Sequence, residues 1–193
     1  MKAVMLSLRP QWCEKIFNGS KSIEVRKSRP SIPTPFTVYI YQTKHKGGKA
    51  TVSEVLNSVY GGGKVIGSFV CDSTTRYNCD KDYDEYFVAG YIGAYMPFKE
   101  MCLTNKNLIE YGKGDALYGW HITEPKLFDK PRELREFSKF GYKYLGGCCV
   151  NYNCPNCIDN GWMQPPECKI DGCFLTHPPQ SWCYIVEDKG ETK

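Results

Sequence analysis

The segment from Gly19 to Arg26 has the residue types that could bind a polar ligand and act on it. After Lys21 the apolar and charged residues alternate, as they do in a half-buried strand. Glu24 and Arg26 then share one strand face, and Lys21 joins them if it lies in the turn after Gly19. Such a cluster could supply a base or nucleophile and a guanidinium for a phosphate or a base edge. The alternative is a structural ion pair of Glu24 with Arg26 or Lys21.

Basic and aromatic residues surround this segment in the sequence. Arg9 and Trp12 precede it, and Arg29 follows it. A tryptophan face can stack on a base, and guanidiniums can bind phosphates. The formal net charge is only +4, so any anion binding must come from such local clustering. Three histidines without a nearby base-and-orienter pattern give little support to a serine or cysteine triad.

The cysteines form a second candidate site. Seven of the eleven follow residue 145, namely Cys148, Cys149, Cys154, Cys157, Cys168, Cys173 and Cys183. The pair Cys154 and Cys157 has the spacing of a zinc knuckle, and Cys168 and Cys173 can complete a four-thiolate site. Such a site has no open position and is therefore structural. Cys148, Cys149 and His177 lie close enough in sequence to leave the ligand set open, and free surface thiols are the alternative.

The periodicity predicts the elements that position these residues. We expect a strand over Lys2–Leu8, then a helix from Pro10 that ends at Asn18-Gly19, then a strand over Lys21–Lys27. Later segments read as strands over 36–43, 65–72, 116–123, 126–128 and 181–187, with helices over 104–112 and 131–137. Counting these elements gives an α+β protein, a small, partly open, mixed β-barrel decorated by short helices.

The chain resembles the ASCH family of PUA-like barrels. Its signature, a short helix ending in Gly-x-Lys followed by a strand with Glu and Arg, matches Ser7 to Trp12 and Gly19 to Arg26. Lys64 to Phe69 looks like the central strand, and Tyr118 to Ile122, with Trp120, looks like a later one. Pro178 to Tyr184, with Ser181, resembles the closing strand of bacterial and phage-borne members. The resemblance covers most of 1–137 and 176–187.

The resemblance implies binding of RNA or a modified nucleotide in a cleft around Lys21, Glu24 and Arg26. The ligand-contacting set would also include Arg9, Trp12, Arg29, Trp120 and Ser181. One ASCH branch removes the acetyl group from N4-acetylcytidine with a Lys, a Thr and a Glu. Lys21 matches that Lys, whereas Glu24 occupies the Thr position. The alternative function is therefore a hydrolase, an amidohydrolase of this type or a ribonuclease, with Lys21 and Glu24 as catalytic residues.

The domain organisation expected from the sequence is a single unit over 1–187. It carries an inserted segment at 44–63 and a cysteine-rich zinc loop at 146–176, and residues 188–193 form a flexible tail. The apolar start of the chain is too short for a secretion signal, and no apolar run approaches the roughly 20 residues that span a bilayer. We therefore expect a cytoplasmic protein without a membrane partner, whose cysteines are reduced.

Overall fold

The computed structural model describes residues 2–44, 62–80, 85–88, 96–137, 139, 157–158, 167–168 and 175–186. Seven strands form one mixed sheet: β1 (Lys2–Leu8), β2 (Ile23–Arg26), β3 (Phe36–Gln42), β4 (Lys64–Asp80), β5 (Glu85–Val88), β6 (Leu117–Arg132) and β9 (Trp182–Val186). Two further strands, β7 (Cys157–Ile158) and β8 (Glu167–Cys168), form a separate antiparallel pair. Among the described residues the helices are α1 (Pro10–Phe17), α2 (Phe98–Met101) and α3 (Asn105–Gly112), with a 3-10 turn at Leu134–Glu136.

The main sheet runs in the order β2-β6-β4-β3-β1-β9, and β5 extends β4. Among the described strands of this sheet β1 and β3 pair in parallel, and the other pairs are antiparallel. The long β4–β6 ladder shifts register at three places, and such irregularities bend strands and increase their twist. Within the described residues the sheet is not closed into a barrel, because no main-chain pairing joins the edge strands β2 and β9. The expected α+β class is confirmed, and the expected mixed sheet is present but is not closed into a barrel.

Helix α1 begins and ends where its sequence predicts. Pro10 occupies the first helical position, where its missing N–H leaves no donor unpaired, and Gly19 adopts a φ of +78° just after the end. Its apolar face, with Cys13 and Ile16, packs into the core on one face of the sheet. The turn that follows therefore delivers Lys21 to the start of β2.

Three apolar clusters hold the sheet, and β1 and β3 are buried on both faces. The interior cluster lies under α1 and contains Val4, Leu6, Ile40 and Trp120. A second cluster, on the other face of β1 and β3, packs around Phe137 and Leu175, and a third packs α2 and α3 against β2 and β6. No helix among the described residues combines the length and the apolar character needed to cross a membrane.

Three expectations differ from the structure. The strand expected over 65–72 continues to Asp80 as β4. The segments expected as two strands, 116–123 and 126–128, belong to the single strand β6. Glu124 takes a φ of +49° at a shift in the β4–β6 register, so the strand continues past this irregularity. The helix expected from Pro131 is wrong. Arg132 still pairs with Val65, so the chain stays extended there and only the 3-10 turn follows. Most of the expected insertion at 44–63 and of the cysteine-rich loop, and the whole tail, lie outside the described residues.

Candidate functional site

The turn after α1 and the start of β2 bring three charged side chains together. Lys21 Nζ lies 3.4 Å from one oxygen of Glu24, and Arg26 Nη2 lies 2.9 Å from the other. Lys21 and Glu24 are only 2% and 5% exposed. These residues, which we call the buried trio, converge as expected, with Lys21 in the turn before the strand. Glu24 forms the ion pairs that the structural alternative also expects.

The neighbouring main chain completes the coordination of the two cations. Lys21 Nζ donates to the carbonyl oxygen of Met101, at the end of α2, at 2.5 Å. Arg26 Nη2 donates to the carbonyl oxygen of Ser7 at 2.9 Å, and Nη1 lies 3.3 Å from Ser181 Oγ. Arg26 thus connects the edge strand β2 to β1 and to the residue before β9. The Arg26 side chain is therefore a contact between the two edges of the sheet, which no main-chain pairing joins within the described residues.

Burial sets the protonation behaviour of the site. Loss of solvent lowers the pKa of the Lys21 ammonium, and the nearby Glu24 carboxylate opposes that shift. Cys13 faces the same interior, and its thiol pKa is raised by burial and then by the negative charge of Glu24. Cys13 is therefore a protonated core residue without nucleophilic character at neutral pH.

Trp120 lies beside the trio. It pairs directly with Glu24 across β2 and β6, so both side chains lie on the interior face. Its ring is fully buried and meets Phe36 and Trp182 edge to face, each at 5.9 Å between ring centroids. Two buried donors on this face, Trp120 Nε1 and Arg26 Nε, have no hydrogen-bond partner in the described part of the chain.

The other residues expected in the site are distributed around it. The Trp12 ring lies 5.1 Å from Lys21 Nζ and 5.2 Å from Lys15 Nζ, so Trp12 contacts the trio through cation–π geometry. Arg9 and Arg29 are exposed, in the turn before α1 and the loop after β2. No ion pair joins either arginine to the described residues of the trio. Sequence reasoning missed the carbonyls of Ser7 and Met101, since a main-chain acceptor leaves no side-chain signature.

Two of the four expected zinc ligands, Cys157 and Cys168, lie in the described residues. Cys157 and Cys168 stand directly opposite each other in the β7–β8 pair. Cys154 and Cys173 lie outside the described residues, as do Cys148 and Cys149. Among the side chains that are described, no group of three or more His, Cys, Asp and Glu forms a metal-binding cluster. The described thiols of Cys13, Cys71, Cys102 and Cys183 are free.

Comparison with known proteins gives a structural likeness. No protein-family model and no curated protein matches the sequence. The crystal structure of ASCH from Zymomonas mobilis is 16% identical, with 68% of this chain and 73% of that chain covered and a TM-score of 0.46. A Tyr-to-Phe variant of that protein, ZmASCH, is 18% identical. The match covers 69% of this chain and 77% of that chain, with a TM-score of 0.45.

A Ser-to-Ala variant of ZmASCH matches over nearly the full length of both chains. It is 15% identical, covers 96% of this chain and 89% of that chain, and has a TM-score of 0.52. Identity at this level carries information on the fold alone, and it agrees with the resemblance that the segment from Gly19 to Arg26 first indicated. The protein has an ASCH-like fold.

Proposed function

We propose that this protein binds RNA or a modified nucleotide at the interior face around Lys21, Glu24 and Arg26. The observation that supports this most is the pair of buried donors, Arg26 Nε and Trp120 Nε1, without an acceptor in the described part of the chain. Leaving a buried donor unpaired costs about 1–3 kcal/mol, so an external acceptor is favoured here. The carbonyl oxygens and ring nitrogens of a nucleobase are such acceptors.

The chemistry around these donors also suits a flat, polar ligand. The buried trio supplies one carboxylate acceptor and two cations, and the half-buried ring of Trp182, packed edge to face against Trp120, supplies apolar surface. The resemblance to PUA-like barrels implies the same class of ligand. A buried water that bridges the two donors is the competing account, since such waters commonly satisfy buried polar groups.

A matched pair of tryptophan variants separates these accounts. Trp120→Phe removes the unpaired N–H, whereas Trp182→Phe removes an N–H that already donates to Ser28 Oγ at 3.1 Å. We would screen ribonucleosides, nucleotides and short RNAs by thermal shift, then measure affinity by calorimetry. The proposal expects Trp120→Phe to weaken binding about tenfold and Trp182→Phe to weaken it less. Absence of any ligand in the screen, or equal losses in both variants, would overturn it.

A second candidate is the hydrolase in which Lys21 activates the nucleophile and Glu24 moves the proton. One observation favours it: burial lowers the pKa of Lys21 next to a carboxylate, as in lysines that act as bases. The test is incubation of wild-type protein, in excess, with N4-acetylcytidine and with RNA. Turnover that disappears in Lys21→Ala supports the enzyme. Binding without turnover supports the binding module.

We also propose that a structural zinc ion is held by Cys154, Cys157, Cys168 and Cys173. The register of Cys157 opposite Cys168 supports this, because it brings two of the four residues side by side. Strands of two residues also need further support, which a metal ion can supply. We expect about one equivalent of zinc per chain and a loss of it in Cys157→Ser, with Cys183→Ser as the control. Protein isolated under reducing conditions with well under one equivalent of zinc, and with its stability unchanged by Cys157→Ser, would contradict the proposal.

The free thiols of the described cysteines suit a reducing compartment, so the proposed location is the cytoplasm.

A further inference from the structure

A row of three side chains crosses the sheet next to the buried trio. Arg26 in β2 stands opposite Tyr118 in β6, and Tyr118 stands opposite Arg76 in β4. Residues directly opposite one another in antiparallel strands place their side chains on the same face. Tyr118 packs against the interior cluster, so the whole row belongs to the face that carries Glu24 and Trp120.

The two arginines of this row differ in what they contact. Arg26 is largely buried and pairs with Glu24, the carboxylate that it shares with Lys21. Arg76 is exposed, and no ion pair joins it to an acidic side chain in the described ranges. Tyr118, between them, is half-buried. The row therefore presents an exposed guanidinium at its outer end and an aromatic ring in the middle.

The spacing of the row suits a ligand with two chemically different ends. Neighbouring strands are about 4.8 Å apart, so β2 and β4 lie roughly 10 Å apart across β6. The unpaired donors Arg26 Nε and Trp120 Nε1 lie at the β2 and β6 side, and the exposed guanidinium lies at the β4 side. A ligand that covers the row thus meets buried donors at one end and an exposed guanidinium at the other.

We propose that Arg76 binds a phosphate of the ligand and that Tyr118 contacts the nucleoside between that phosphate and the buried donors. The ligand class is then a nucleotide or an RNA strand, and a free nucleoside is a weaker ligand. This inference rests on the proposed function of the same site and adds a phosphate subsite to it. Guanidiniums pair with phosphates through parallel hydrogen bonds, and aromatic rings stack on bases.

The experiment compares ligands with and without phosphate. We would titrate wild-type protein and Arg76→Ala with the ribonucleosides, their 5′-monophosphates and a single-stranded RNA of about ten nucleotides. In the wild type the phosphate is expected to increase affinity. Arg76→Ala is expected to lose roughly fivefold for the monophosphates and RNA and nothing for the nucleosides. For RNA, the slope of log affinity against log salt concentration should become shallower in Arg76→Ala by about the amount that one phosphate contact contributes.

Two controls keep the result interpretable. Arg135→Ala removes another exposed arginine, on the 3-10 turn, and should leave all three affinities unchanged. Tyr118→Phe keeps the ring and should bind as the wild type does, whereas Tyr118→Leu should bind more weakly.

The outcomes separate this inference from the proposed function. If nucleosides bind, but the phosphate adds no affinity or Arg135→Ala costs as much as Arg76→Ala, the phosphate subsite is overturned and the binding site stands. If no nucleoside, monophosphate or RNA binds the wild-type protein, the proposed function fails and the subsite fails with it.

Discussion

Two ion-pair clusters of the same residue types lie in different surroundings. In the buried trio, Lys21, Glu24 and Arg26 meet under the sheet. At the far end of β4 and β6, Lys64 pairs with Glu133, and Arg132 pairs with Glu136 at 3.0 Å. The side chains of Lys64 and Glu133 are 39% and 44% exposed. We call this second group the surface cluster.

The surroundings decide what each cluster does to its groups. In the surface cluster the hydrogen bond from Lys64, and then its charge, lower the pKa of Glu133, which simply stays ionised. In the buried trio, burial lowers the pKa of Lys21 against the pull of Glu24. The proposed ligand site rests on these charges, which are kept out of water at a cost, and on the two donors beside them that have no partner among the described residues.

The largest expected effect comes from removing the shared carboxylate of the trio. Glu24→Gln leaves two buried cations without their counter-ion, and we expect the free energy of unfolding to fall by about 3–5 kcal/mol. Urea denaturation measures this. The matched control, Glu133→Gln, removes the carboxylate of an exposed pair and should change stability little. Equal losses in the two variants would remove the distinction between the clusters.

Replacing the buried ammonium should cost less and should change the pH dependence. Lys21→Met loses the hydrogen bond to Met101 O, so about 1–3 kcal/mol is expected. Because the folded pKa of Lys21 lies below its ordinary value of 10.5, the unfolded chain binds more protons between these two pH values. The contribution of Lys21 to the unfolding free energy therefore rises with pH in that window. Urea denaturation of both proteins at several pH values in that window measures this. The unfolding free energy of the wild type minus that of Lys21→Met should rise with pH, and a constant difference would contradict the prediction.

Exchanging the guanidinium for an ammonium tests the geometry of the trio with the charge retained. Arg26→Lys cannot reach Glu24, Ser7 O and Ser181 together, and a loss of about 1–2 kcal/mol is expected. Thermal and urea unfolding measure it. Lys64→Arg, in the surface cluster, is the matched control and should be near neutral. A neutral Arg26→Lys would show that charge alone is needed between β2 and β9.

The smallest expected effect is the response to salt. Exposed pairs are screened at high ionic strength, and buried pairs are screened much less. Comparison of Lys64→Met with wild type at low and high salt should show a small difference that disappears with salt. The corresponding difference for Lys21→Met should persist. Loss of both differences at high salt would mean that the trio is open to solvent.

The elements that position the buried trio could be predicted because local sequence patterns determine them. Pro10, Gly19 and the alternation after Lys21 placed α1, its end and β2, because each is a local constraint on the backbone. The same signals put Thr104 at the start of α3, where its side chain accepts from Asn107 N. These choices need no information on distant parts of the chain.

The parts that could not be predicted depend on the sheet register. Nothing local shows that Trp120 faces Glu24, or that Tyr118 lies between Arg26 and Arg76, since these neighbours come from separate strands. Nor could the sequence show that Lys21 binds the carbonyl of Met101, which is eighty positions away. The single strand through Glu124 and Pro125 was missed for the same reason, because a bulge in the ladder absorbs both residues.

The most direct test of the account follows the indole N–H of Trp120 by NMR. The protein has four tryptophans, so its indole signals are few, and the spectrum of Trp120→Phe assigns the one of interest. Titration with the nucleotide or RNA of highest affinity should move the Trp120 signal strongly and saturably, because its N–H gains an acceptor, and the Trp182 signal much less. A ligand that saturates the protein and leaves the Trp120 signal in place would contradict binding at the buried trio.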